Sequence, residues 1–169
     1  MKTVTLEEFK KFSPCWLGTL DGRKKLESIG GRKEAWTALD VLDLPEEEVS
    51  PEDKLWAVLR AEFIPEETLH EFAYRCAEEA LKLVENPDPR SVAAIEAKRK
   101  WMRGEIGDEE LAAARAATRE AEAATWSAVD SAAWAAARAA RFAADADADF
   151  AAWAAARAAR FAKSEAKRS

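Results

Sequence analysis

At 169 residues, 49% apolar and 34% charged, with a net charge of −6, the chain has the composition of a folded domain and not of a disordered segment or a general nucleic-acid binder. No window approaches the ~18 continuous apolar residues of a membrane helix, and no apolar run follows the first lysine, so neither a membrane span nor a signal peptide is expected. The two cysteines, Cys15 and Cys76, have no metal or redox spacing, which fits a reducing cytoplasm.

In chain order, almost every segment reads as helix. TLEEFKKF opens with Thr5 as an N-cap and acids in the first turn. DGRKKLESIGGRKEAWTALDVLDL holds two short helical patterns punctuated by Gly30-Gly31. Ser50-Pro51-Glu52-Asp53 starts a helix running toward Phe63, with Leu55, Val58, Leu59 and Phe63 as its buried face. Pro65-Glu66-Glu67 starts the next, whose apolar stripe is Leu69, Phe72, Ala73, Cys76, Ala80 and Leu83. Asn86-Pro87-Asp88-Pro89 breaks it; Asp88 caps a further helix that Gly104 ends.

Beyond this the composition changes. Of the 52 residues from 111 to 162, 28 are alanine, with no glycine or proline. The charge changes too: residues 1–110 carry 17 basic against 25 acidic side chains, and residues 111–169 carry 9 against 7. An N-terminal helical region (1–106) and an alanine-rich array (107–169) are expected, forming one compact all-α domain.

The stretch AAWAAARAARFA occurs at 132–143 and again at 151–162. A nineteen-residue repeat in one straight rod would put the copies about 100° apart, on different faces. Three helices near 108–125, 127–144 and 149–165 explain the period better, with breaks at Thr125-Trp126-Ser127 to Ser131 and at Asp145, Asp147 and Asp149. On a helical wheel Trp134, Arg138 and Arg141 fall within about 60° of one another, and Trp153, Arg157 and Arg160 repeat them. Ala132, Ala136, Ala139, Ala140 and Ala143 lie opposite, as do Ala151, Ala155, Ala158, Ala159 and Ala162, forming a ridge for close helix packing. The strips themselves suit either packing, with arginine stems along an indole, or ligand binding, with indoles stacking a ring and guanidinium forks holding an anion.

Catalytic patterns are missing. His70, the single histidine, stands in a Glu-x-x-His spacing without the second copy a di-iron bundle needs, and reads as a helix-surface residue. No cofactor, metal set or catalytic residue is expected. The densest basic cluster, Lys98 to Arg103, reads as positive charge at a helix C-terminus.

Residues 86–117, NPDPRSVAAIEAKRKWMRGEIGDEELAAARAA, with the alanine tract behind them, resemble the putative immunity protein family of bacteria and phages. That family's core falls here on Pro87, Arg90, Ala94, Ile95, Glu96, Arg99, Trp101, Gly104 and Glu105. The resemblance implies an all-α fold and a role in toxin or phage conflict without catalysis. Two functions are then open. One is a binding protein that sequesters a small anionic, nucleotide-like ligand, such as a cyclic nucleotide immune signal, between the Trp-Arg strips. The other is an immunity or counter-defence protein that neutralises a protein partner by surface contact. A homo-oligomer is compatible with both.

Overall fold

The computed structural model describes residues 2–12, 19–127, 131–144 and 148–166. Cys15, Asp145 and Asp147, and the side chains of Thr125, Trp126, Ser127, Ser131, Ala132, Asp149 and Ala162, lie outside the described residues. The fold is all-α, with one two-stranded sheet among the described residues, and divides into a unit ending at Pro65 and a unit beginning at Glu66.

The first unit contains β1 (Thr3–Val4), α1 (Leu6–Lys11), α2 (Leu20–Gly30), β2 (Trp36–Thr37), α3 (Ala38–Leu42) and α4 (Pro51–Val58). The strands pair antiparallel, Thr3 opposite Thr37 and Val4 opposite Trp36, a pairing too short for any alternation to announce it. Thr5 caps α1 in a reciprocal box with Glu8, and Thr37 caps α3 likewise with Asp40. Hydrogen bonds from Lys33 and from Thr37 hold the Asp40 carboxyl down at about 2. Ser50 and Pro51 start α4 as expected. The helix stops at Val58, though, because Leu59 leaves the helical region (ψ 56°) and a turn follows. That turn delivers Phe63 to the core, whereas Leu55 is exposed, contrary to expectation. Val4, Trp36, Val41, Ala57, Val58 and Phe63 form the core. Lys54 is buried beside it, its ammonium donating to the carbonyls of Leu42 and Leu44.

The second unit contains α5 (Glu66–Lys82), α6 (Pro89–Met102), α7 (Asp108–Ser127), α8 (Ser131–Ala144) and α9 (Ala148–Ala166). The alanine-rich tract thus forms three helices. Compactness separates the chain at Pro65, earlier than the change in composition, because α5 and α6 pack with the alanine helices. At the centre is α8, which packs on α5, α6, α7 and α9. Its alanines 135–137, 139, 140, 143 and 144 are all buried, so the first copy's ridge is packed as expected and extends further around the helix. In α9 the ridge is displaced. Ala151, Ala154 and Ala158 are buried, while Ala155 is only half-buried and Ala159 is exposed. One neighbour-facing side is enough for a helix that packs on α5 and α8 alone among its stronger contacts.

Burial along α5 follows the same logic. Leu69, Ala73 and Ala80 are buried as expected, but Tyr74, Ala77 and Leu81 join them and Leu83 is exposed. Three helices, α6, α8 and α9, pack on α5, so its buried face is wider than one stripe. Asp88 caps α6 with Pro89 in its first turn, and Gly104 ends it at φ 71°, a left-handed conformation that favours glycine.

Candidate functional site

The duplicated motif places its copies on α8 and α9, neighbours in the bundle, and the two strips interlock. The Arg138 guanidinium carbon lies 4.9 Å from the Trp134 ring centroid and 5.7 Å from that of Trp153. Arg157 lies 5.2 Å from Trp134 and 5.4 Å from Trp153. Each indole therefore sits near both a guanidinium of its own helix and one of the adjacent helix. Contacts of this kind contribute roughly 0.5–2 kcal/mol, more where water is excluded. The phenylalanines complete the layer: Phe142 is 5.3 Å from Arg138 and stacks on Phe150 at 5.0 Å, and Phe161 is 5.3 Å from Arg157.

Glu122 of α7 was not singled out by the sequence, yet it anchors the first strip. Arg141 Nε donates to its Oε2 at 2.8 Å, and Arg138 Nη1 stands 3.6 Å from its Oε1. All three side chains are about four-fifths covered, so the pairs are much less screened than surface ion pairs. An arginine of α7, Arg115, donates from Nε to the Ala144 carbonyl at 2.7 Å and so caps the C-terminus of α8.

Of the six expected ligand-binding residues, Trp134, Arg138, Trp153 and Arg157 thus form one cluster, and Arg141 joins it through Glu122. Arg160 does not share it and is exposed on α9. Exposure is uneven between the copies. Trp134 is half-buried, while Trp153 is 40% exposed. The Nε atoms of Arg138 and Arg157 are buried without a hydrogen-bond acceptor.

A second polar cluster joins α5 and α6. Lys98 is completely buried, with Nζ 3.3 Å from His70 Nδ1 and 4.3 Å from the Trp101 centroid. His70 meets Trp101 edge-on at 5.2 Å. The expectation of a surface histidine is therefore corrected: position 70 follows buried Leu69 on the side of α5 that faces α6, and is half-buried. Burial first, and then the Lys98 charge, lowers its pKa from the ordinary histidine value. The basic cluster Lys98–Arg103 does stand at the C-terminal end of α6, with Arg99 and Lys100 in its last turn, and part of it is drawn inward. Lys98 belongs to the interior, Arg99 lies over Tyr74 at 5.1 Å, and Arg103 pairs with Glu105 at 2.5 Å. Burial, followed by the bond to Glu78, pushes the Tyr74 hydroxyl up to about 12. Burial also raises the Cys76 thiol, which disfavours the thiolate a nucleophile requires. Among the described residues no group of His, Cys, Asp and Glu could hold a metal ion, and no helix is long and apolar enough to cross a membrane.

The residues that carried the family resemblance occupy the corner joining α5, α6 and α7. Ala94 and Ile95 are buried, Arg90 pairs with Asp88 at 2.7 Å and with Glu120 at 3.4 Å, and Trp101 Nε1 donates to Asp108 at 2.8 Å. They fasten helices together. A family model described as Imm-5 like putative immunity protein matches residues 61–146, a little over half of the chain. No curated protein and no solved structure matches.

Proposed function

Because the chain belongs to the Imm-5 like putative immunity protein family, we propose that it is a non-enzymatic immunity protein that neutralises a protein partner by direct contact through the outward face of α9. The observation that carries this reading is the exposure of Trp153, Ala156, Arg160 and Lys163. Spaced by three, four and three residues, these positions form one line along the helix. Phe150, 48% exposed, extends the aromatic end. Tryptophan and arginine are the residues most enriched at energetic centres of interfaces, and flanking alanines leave them accessible to a partner. The stripe is basic, so its complement is an acidic surface. All of α9 lies beyond the residues matched by the family, which makes it a suitable place for partner specificity.

Sequestration of a nucleotide-like anion is the second reading, and one observation favours it: the buried Nε donors of Arg138 and Arg157 beside two indoles. Against it, both indoles already lie within 6 Å of two guanidiniums, so an entering ring must displace contacts already made.

The two readings separate in one pair of experiments. A photo-crosslinking residue placed at Ala156 in the host should give a discrete protein adduct, and one at Leu20, exposed in the first unit, should not. Calorimetric titration with linear and cyclic mono- and dinucleotides should give no saturable heat. Absence of an adduct from position 156, together with nucleotide binding abolished by Arg157→Ala, would replace the first reading with the second.

A further inference from the structure

The first unit carries a cavity of about 220 Å³ whose wall includes Phe9, Trp36, Val41, Ala57 and Phe63. Packed interiors hold few voids larger than a water molecule, whereas apolar cavities of ~150 Å³ stay dry and accept guests the size of benzene. The cavity opens partly to solvent, and its wall takes in the core residues Val4, Trp36, Val41, Ala57 and Phe63.

The polar groups at the wall are committed elsewhere. Thr5 Oγ1 donates to Glu8 at 2.8 Å, and Trp36 Nε1 donates to the Gly30 carbonyl at 3.4 Å. Glu48 accepts from Arg32 at 2.7 Å, and Asp53 accepts from Ser50 at 2.8 Å. Lys25, also at the wall, is exposed and keeps its ammonium hydrated. A polar guest would lose its water and find little to bond in return. An uncharged apolar guest would give up no hydrogen bonds with water and gain contact with the apolar wall.

We propose that this cavity is a binding site for a small neutral apolar molecule, about nine non-hydrogen atoms by proportion to the benzene-sized case. The site is independent of the α9 stripe, and of its wall only Phe63 falls within the family match, which begins at residue 61.

The test uses the full chain with propylbenzene as probe and 3-phenylpropanoate as its charged counterpart, followed by calorimetry and thermal melting. Propylbenzene should bind saturably and raise the melting temperature, and phenylpropanoate should bind at least ten-fold more weakly. Ala57→Leu should fill the space, weaken propylbenzene binding at least ten-fold and leave the unliganded protein no less stable. Leu44→Phe fills the cavity from another wall and gives the same result should Ala57→Leu not fold. Failure of propylbenzene to bind the parent overturns the proposal. So does equal binding of both probes, or binding unchanged in a folded cavity-filling variant.

Discussion

Arg141 of α8 donates its Nε proton to Glu122 of α7 at 2.8 Å, with both side chains about four-fifths covered. The carboxylate also faces Arg138 at 3.6 Å, so a single acid orders the arginines of the first repeat copy. Replacing Glu122 by alanine leaves two partly covered cations without it. The expected loss is ~1–3 kcal/mol, the usual penalty for an orphaned charged hydrogen bond. Urea unfolding reads it directly, and a double-mutant cycle with Arg141→Ala should return a coupling above ~0.5 kcal/mol. A loss below that would mean the pair behaves as a solvated surface contact.

The alanine ridge predicts a contrast within the duplicated motif. Ala136 and Ala155 are equivalent in the two copies, as are Ala140 and Ala159, yet their burial differs. Ala136→Leu inserts bulk at a site 1% exposed and should cost ~1–3 kcal/mol. Ala159→Leu, on an exposed position, should stay within ~0.5 kcal/mol of the parent. Equal costs for both substitutions would mean that α9 packs on the face assigned here to solvent.

These contrasts show how far the sequence reached. Helix starts with a local chemical cause were legible: Thr5, Ser50-Pro51 and Asp88-Pro89 cap as their side chains dictate, and Gly104 stops α6 because it adopts positive φ. The repeat length correctly implied separate helices that bring the two Trp-Arg strips together. What each strip would meet was not legible. A helical wheel orders side chains around one helix but does not say how many neighbours that helix has. Thus α8, surrounded by four helices, buries alanines nearly all round, while α9 leaves Ala159 outside. The pairing of Glu122 and the burial of Lys98 were not legible for the same reason. Their roles arise from contacts 19 and 28 residues away in sequence, where composition carries no signal.

His70 predicts a pH dependence with a definite sign. Burial and the Lys98 and Arg115 charges lower its pKa, outweighing the opposite pull of Glu66 and Glu67. The unfolded chain therefore takes the proton more readily than the folded one. Stability is complete above the ordinary histidine value near ~6.5 and falls as pH drops below it. As the single histidine, it dominates between about pH 6.5 and 5, before carboxylates titrate. His70→Gln should flatten the slope of unfolding free energy in that window. An unchanged slope would contradict the placement of His70 against Lys98.

Cys76 should be a slow thiol. Burial raises its pKa, so both low accessibility and a small thiolate fraction oppose attack. In a Cys15→Ser background, reaction with an aromatic disulfide reagent at pH 8 should be at least ten-fold slower in native protein than in urea-unfolded protein. Equal rates would place the thiol at the surface.

Recognition of an acidic protein surface by the basic-aromatic face of α9 is what the proposed function requires. Its most direct measurement is calorimetric titration of the crosslinked partner, once purified, with the parent and with the Arg160→Glu, Lys163→Glu double variant. Both positions are exposed, so the fold should be retained with a melting temperature within a few degrees of the parent. Affinity should fall at least ten-fold on charge reversal, and parent affinity should weaken as salt rises. Full affinity in the folded double variant would mean that the partner does not bind this face of α9.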